Sequence, residues 1–314
     1  SFDIINIIWS DMETKIKAFL ETLDRSPHTV FAYRNALNQF VNVVGEDAEL
    51  NLETYTKFLT AIKSKPPATK GLYATAVRRL YAFHKAWNSD ELKDVTKHYT
   101  RNQGKRIVNP NREAVEKVIT YCESLNGESA ASPREALEAL RDRAFVLTLA
   151  DTGLRISEAC LLKRGDIDWL EQRAIIIGKG DKQAVVRFSN RCIEALKAYL
   201  HARANVEPNS RTPLGSQPLF ARHDIRASKK IRPISAGGMW KAVKARIEEA
   251  GMERNAVRIH DFRHYFVTVT YLALEDLKMA QVLARHESIE TTNRYAHLSS
   301  EADRAYDKVF NRRS

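Results

Sequence analysis

The chain has 314 residues, 44% of them apolar and 28% charged, which is long enough for two domains that each bury a core. No apolar run approaches the roughly 18 to 20 residues that span a bilayer, Ala144 to Ala150 being among the longest, so a membrane-spanning class is excluded. Fifty Lys and Arg against 39 Asp and Glu give a net charge of +11, a balance that attracts polyanions, either nucleic acid or an anionic membrane surface.

In chain order, Ser1 to Ser10 lacks the basic-then-apolar pattern of a signal peptide, and a cytoplasmic, nucleoid-associated protein is the expectation. Ser26-Pro27 reads as a cap and a first-turn proline. Val30, Tyr33, Leu37, Phe40, Val41 and Val44 then recur at helical spacing until Gly45 closes the segment. A second helix places Leu52, Tyr55, Phe58, Leu59 and Ile62 on one face and stops at Pro66-Pro67. A third runs through Leu72, Val77, Leu80, Tyr81 and Phe83 to Trp87. Short amphipathic helices with brief loops predict a small all-α bundle over residues 1–100.

Lys97 to Arg112 carries Lys97, Arg101, Lys105, Arg106 and Arg112 with no acidic residue, and Gly104, Asn109 and Pro110 interrupt any helix there. Residues 101–112 are read as a basic interdomain linker suited to a phosphate backbone, and residues 113–314 as a second domain. Helices dominate that domain, with one β element. Ala-Ile-Ile-Ile and Ala-Val-Val-Arg-Phe flank Gly178-Lys179-Gly180-Asp181 between Arg173 and Phe188, a hairpin signal. Glu207 to Pro218, rich in Pro, Ser and Asn, reads as a surface loop. Cys122, Cys160 and Cys192 match no zinc spacing, and their odd count argues against a disulfide framework; they read as small buried hydrophobes.

Four motifs occur in a fixed order. Thr152-Gly153-Leu154-Arg155-Ile156-Ser157-Glu158 follows a helix running from about Arg134 to Ala150; Gly153 breaks that helix and Arg155 opens the next. Lys179 lies at the hairpin tip. His260-Asp261-Phe262-Arg263-His264 places His260 and Arg263 one helical turn apart. His286 is followed by Tyr295 in Thr291-Thr292-Asn293-Arg294-Tyr295-Ala296-His297.

Taken singly, each residue has a bland reading. Arg155 and Glu158 make an ordinary i,i+3 ion pair, Lys179 is a turn lysine, His260 and His264 are structural histidines, and Tyr295 is a buried aromatic, as Tyr271 is expected to be. As a set they suit a phosphodiester. Two guanidiniums offer planar donor forks to a phosphorane-like state. A phenol becomes a nucleophile only when its proton is taken or cations stabilise the phenolate. A hairpin ammonium, Lys179 or its neighbour Lys182, can protonate the leaving 5′ oxygen, and two histidines can donate to phosphate oxygens or shuttle protons.

This ordered set resembles the tyrosine recombinase family, also called the phage-integrase or lambda-integrase family, in its simple two-domain, Xer-like form. The resemblance covers about residues 113 to 310 as a catalytic domain and, more loosely, residues 5 to 100 as a helical, SAM-like core-binding domain. It implies a mainly α fold with a small β-hairpin or sheet, two domains forming a clamp around DNA, and cleavage and rejoining of strands through a 3′-phosphotyrosyl link. In that reading Arg155 and Arg263 clamp the scissile phosphate and Lys179 is the general acid. His260 assists proton transfer, His286 hydrogen-bonds the phosphate, and Tyr295 is the nucleophile. Lys97, Arg101, Lys105, Arg106, Lys182 and Arg285 are the DNA-binding candidates. No cofactor, metal or ATP is expected.

The implied partners are double-stranded DNA sites and a homotetramer assembled on two of them. The C-terminal stripe Leu298, Ala302, Ala305, Tyr306, Val309 and Phe310 forms a short helix that docks in trans. The chain departs from the family twice. Ala284-Arg285-His286 stands where Leu-Gly-His is usual, and Tyr271 to Lys278 lacks the usual Gly between helices, so a helical or tighter turn is expected there. No arm-binding domain is expected before the bundle, and a simple recombinase is expected over a large integrase. Two other readings stay open: a related strand transferase, such as a type IB topoisomerase or hairpin resolvase, and a non-catalytic DNA-binding regulator.

Overall fold

A computed structural model of the chain describes residues 11–100, 111–177, 183–206, 212–224 and 231–285. It divides into two compact units, Ser1–Arg106 and Ile107–Ser314. Among the described residues no helix is long and apolar enough to cross a membrane.

The first unit contains five helices among its described residues: α1 (Asp11–Glu21), α2 (Pro27–Val44), α3 (Leu52–Ala61), α4 (Pro67–Phe83) and α5 (Ser89–Thr100). The Ser26 hydroxyl accepts the Thr29 N–H at 3.3 Å, Pro27 opens α2, and Gly45 closes it at φ 102°, as the sequence predicts. Asn51 caps α3 through the Thr54 N–H at 3.0 Å. Pro66-Pro67 does more than stop α3: Pro67 is the first residue of α4. Helix α4 ends at Phe83, with Lys85 left-handed at φ 51°, so Trp87 lies beyond it rather than within it.

Leu37, Phe40, Tyr55, Phe58, Leu59, Val77, Leu80 and Tyr81 form the buried centre of this unit. Its two phenols stay satisfied inside. The Tyr55 hydroxyl meets Thr96 Oγ1 at 2.5 Å, and Tyr81 meets Thr54 Oγ1 at 2.8 Å and the Asn51 carbonyl at 3.1 Å.

The second unit runs α6 (Arg112–Glu123), α7 (Pro133–Thr152), α8 (Ile156–Leu161), β1 (Ile167–Asp168), β2 (Arg173–Ile177), β3 (Gln183–Arg187), α9 (Asn190–Ala204), α10 (Ala236–Glu249), α11 (Ile259–Leu274) and α12 (Leu277–Ala284). Two single 3-10 turns, at Arg164–Asp166 and Leu214–Ser216, pack against each other. The strands form one antiparallel sheet in the order β1-β2-β3, with Ile175 opposite Val185 and Ile176 opposite Ala184. Ala174, Ile176 and Val186 face the core, whereas Ile175, Ile177 and Val185 face outward. The hairpin was legible; the two-residue β1 was not, because nothing in Ile167-Asp168 alternates long enough to read.

Helix α7 is the central element. Ala144 to Ala150 is its buried stretch, packed by α6, α9 and α11. Midway along it, the buried Asp142 carboxylate accepts from Arg141 Nε at 2.9 Å and Nη2 at 2.8 Å and, on its other oxygen, from Arg246 Nε of α10 at 2.9 Å. The turn between α11 and α12 is two residues long. Glu275 takes the left-handed conformation (φ 51°, ψ 20°) that glycine usually fills, and Asp276 caps α12 through the Met279 N–H at 2.9 Å.

Two sequence expectations need correction. Lys97 sits in the last turn of α5 and Arg112 is the first residue of α6, so neither belongs to an irregular linker. The spacing in α5 is sparse, with only Leu92, Val95, Thr96 and Tyr99 as its inward stripe. The stretch 212–218 is not all surface loop either. It contains a 3-10 turn, a buried Gln217, and a bridge from Pro218 to Lys163. Residues 101–110, the hairpin tip 178–182, and residues 286–314, with the predicted C-terminal helix, lie outside the described residues.

Candidate active site

The site is built around one backbone carbonyl. Helix α7 ends at Thr152, and Gly153 closes it in the left-handed region (φ 61°, ψ 19°) with its N–H on the Leu149 carbonyl at 3.1 Å. A Cβ at Gly153 would lie 2.5 Å from the Phe266 ring of α11, so conformation and space both demand glycine. The Thr152 hydroxyl donates to the Thr148 carbonyl at 2.5 Å and accepts the Leu154 N–H at 3.2 Å. Arg155 then turns into extended backbone as the residue before α8. The Glu158 carboxylate accepts both the Arg155 N–H at 2.9 Å and its Nη1 at 2.6 Å. Burial works against the ionised form of Glu158. The hydrogen bonds from Arg155 and the charges of Arg155 and Arg285 more than offset it, holding the carboxyl below its ordinary range.

Arg263 comes from the first turns of α11. That helix start is fixed by buried Asp261, which accepts the Arg258 N–H at 2.8 Å and Arg258 Nη2 at 2.9 Å. Arg263 is buried, and its guanidinium donates through Nη1 to the Gly153 carbonyl at 2.5 Å and through Nη2 to the Ala284 carbonyl. Those oxygens close α7 and α12, where helix geometry leaves carbonyls without intrahelical donors and the dipole is negative. His260 is exposed one turn before Arg263. Burial pushes His264 down from its ordinary value. Asp261 opposes that shift, while the nearby charges of His260, Arg258 and Arg263 reinforce it.

Arg285 completes the cluster. It closes α12 in the left-handed region, at φ 56° and ψ 44°. Its Nη2 donates to the same Gly153 carbonyl at 3.2 Å and lies 3.8 Å from Glu158 Oε2, with the side chain only 12% exposed. Nη1 is buried and meets no hydrogen-bond acceptor among the described residues. Burial lowers the Arg285 pKa; the Glu158 charge opposes this and the Arg155 charge adds to it.

Of the residues singled out in the sequence, the structure therefore brings Arg155, Arg263 and Arg285 together about Gly153 and Glu158, with His260 at the start of the same helix as Arg263. Lys179, Lys182, His286 and Tyr295 lie outside the described residues, as do Arg101, Lys105 and Arg106. Lys97 belongs to the first unit, where it pairs with exposed Asp94 at 3.2 Å. The i,i+3 pair of Arg155 and Glu158 is present, so the bland reading of that spacing is correct as far as it goes. Sequence reasoning missed that Glu158 also faces Arg285, and that one carbonyl gathers two arginines. A carbonyl carries no residue type, so no sequence signal marks it.

The chain belongs to the phage integrase family, whose sequence model matches residues 112–302. Its relatives include tyrosine recombinase XerC of Herpetosiphon aurantiacus, 28% identical over 314 residues and covering 96% of both chains. Tyrosine recombinase XerD of Bifidobacterium longum is 35% identical over 163 residues, 52% of this chain and 51% of the relative. Among solved structures, the XerH site-specific recombinase bound to a palindromic difH substrate matches with a TM-score of 0.66 at 21% identity, covering 95% of this chain and 96% of that one. A lambda integrase dimer bound to a core site matches with a TM-score of 0.62 at 14% identity, over 88% of this chain and 95% of that one. These structural likenesses establish the fold.

Proposed function

We propose that this chain is a site-specific DNA recombinase that cuts and rejoins strands through a tyrosine. The observation that carries the reading is Arg263, buried and tied to the ends of two helices beside Arg155, in a chain of the phage integrase family. A cation fixed by backbone carbonyls cannot relax when charge develops nearby, which is the condition for stabilising a transition state electrostatically.

In this mechanism Arg155 and Arg263 hold the non-bridging oxygens of the scissile phosphate. The Tyr295 oxygen attacks phosphorus, its proton passing to a neighbouring base with His260 assisting. The bond from phosphorus to the 5′ oxygen breaks, and Lys179 protonates that leaving oxygen. His286 donates to the phosphate. A 5′ hydroxyl from another strand then reverses the steps and releases Tyr295. The phosphotyrosyl ester conserves the energy of the broken bond, so rejoining calls for neither ATP nor metal. The unit from Ile107 onward carries this chemistry and the helical unit before it grips the duplex. The assembly that exchanges strands is a homotetramer on two sites, with the C-terminal helix docked on the next protomer.

Randomised duplexes incubated with the full chain and denatured in detergent should yield covalent protein–DNA adduct, undiminished by chelator and absent for Tyr295→Phe. Adduct formed equally well by Tyr295→Phe would overturn the assignment. Deleting Ala305 to Ser314 should prevent tetramer formation on DNA.

A further inference from the structure

We infer that Arg285 is a third guanidinium on the scissile phosphate; the inference rests on the recombinase reading above. Three observations converge on it. The first is place: Arg285 Nη2 shares the Gly153 carbonyl with Arg263 Nη1 and lies 3.8 Å from the Glu158 carboxylate that pairs with Arg155. Arg155 and Arg285 thus share one carboxylate, and Arg263 and Arg285 one carbonyl, in a space where Arg285 is only 12% exposed. Cations crowded at low dielectric repel one another, and a bound anion relieves that repulsion.

The second observation is an unused donor. Nη1 of Arg285 is buried without an acceptor among the described residues, a costly condition for a guanidinium nitrogen, and a phosphate oxygen is the acceptor a planar fork fits best. The third is backbone. Arg285 occupies a left-handed position at the end of α12, where glycine closes a helix without strain. A long charged side chain held there against conformational preference points to a role for that side chain. Burial and the neighbouring Arg155 also make the charged form of Arg285 harder to keep, in the direction that an arriving anion reverses.

The test uses the full chain on a nicked duplex of a sequence recovered as covalent adduct, so that cleavage is irreversible. Arg285→Gly should lower the single-turnover rate of adduct formation by roughly tenfold to a hundredfold, the scale of one lost charge-stabilising donor. Affinity for the uncleaved duplex, measured in the Tyr295→Phe background, should change by less than about threefold, since one phosphate contact among many is lost. On a duplex whose scissile phosphate is a methylphosphonate, which lacks the charge Arg285 meets, the defect should shrink to about threefold or less. Glycine suits the left-handed position, so the melting temperature of Arg285→Gly should not fall, which separates a lost contact from a damaged fold. Arg285→Lys should recover part of the rate.

An Arg285→Gly rate within about threefold of the unmodified chain would overturn this inference alone, as would an equal defect on phosphate and methylphosphonate. An unmodified chain that forms no adduct on any duplex would overturn the recombinase reading and this inference with it.

Discussion

Arg263 donates to the Gly153 carbonyl across 110 residues of sequence, at 2.5 Å, joining the start of α11 to the end of α7. The contact makes glycine's left-handed turn part of the arginine cluster's geometry. The orientation of that carbonyl sets where the guanidinium sits, and the orientation depends on a residue with no side chain.

Gly153→Ala should therefore harm both stability and activity. A left-handed alanine costs roughly 1 to 2 kcal/mol, and its Cβ would press into the Phe266 ring 2.5 Å away, adding about 1 to 3 kcal/mol of overpacking. Urea unfolding should show a loss of about 2 to 5 kcal/mol by summing those terms. A loss under about 1 kcal/mol would mean that Phe266 gives way freely.

The two arginines of the proposed clamp should separate when stability and cleavage are measured side by side. Arg263→Ala strips donors from two helix-end carbonyls in a buried setting and should cost about 2 to 4 kcal/mol. The Arg155 side chain is 42% exposed, so Arg155→Ala should cost less than about 1 kcal/mol. Both should reduce adduct formation by on the order of a hundredfold or more. Equal stability losses for the two variants would contradict this division.

Acid should weaken the second unit through His223. Its Nε2 meets the Tyr199 hydroxyl at 2.8 Å, and burial together with the charges of Arg141 and Arg203 pushes its pKa from 6.5 to about 3. The unfolded chain takes up this proton below pH 6.5 while the folded chain does not. Stability attributable to His223 is thus complete above pH 6.5 and falls as pH drops toward 3, by at most ~1.4 kcal/mol per unit. His223→Asn should flatten that part of the pH–stability curve; an unchanged slope would show that the histidine is charged in the folded state.

Cys122, Cys160 and Cys192 are all buried, and burial pushes each thiol up to about 12. An aromatic disulfide reagent should find no reactive thiol in the folded chain at neutral pH and all three after unfolding. Rapid modification of the native protein would place one of them near the surface.

Much of the fold was legible where side chains announce geometry. Ser26-Pro27 and Gly45 bound α2 as read, and Gly153 ends α7 where the motif places it. Helix α5 escaped because its inward stripe is sparse and its last turn, with Lys97, runs into the basic stretch that follows. In the site, Arg155 and Arg263 could be picked out by type and spacing. Their links to Arg285 could not, since one runs through the Gly153 carbonyl, the other through Glu158, and both depend on tertiary approach. The two-residue turn at Glu275 shows the same limit. The missing glycine was visible, but only the packing of α12 on α11 decides that a glutamate will adopt glycine's conformation there.

The Asp142 carboxylate shared by α7 and α10 has a mechanical consequence. Sliding one helix past the other would break the bond from Arg246 to Asp142, a charged contact worth about 1.5 to 3 kcal/mol, while Arg141 stays paired with Asp142, so the two helices are held in register as a single lever. Gly153 lies at the end of that lever, about 16 Å along the axis from Asp142 at 1.5 Å per residue. A push on the outer face of α10 is therefore passed to α7, the helix that ends at the arginine cluster.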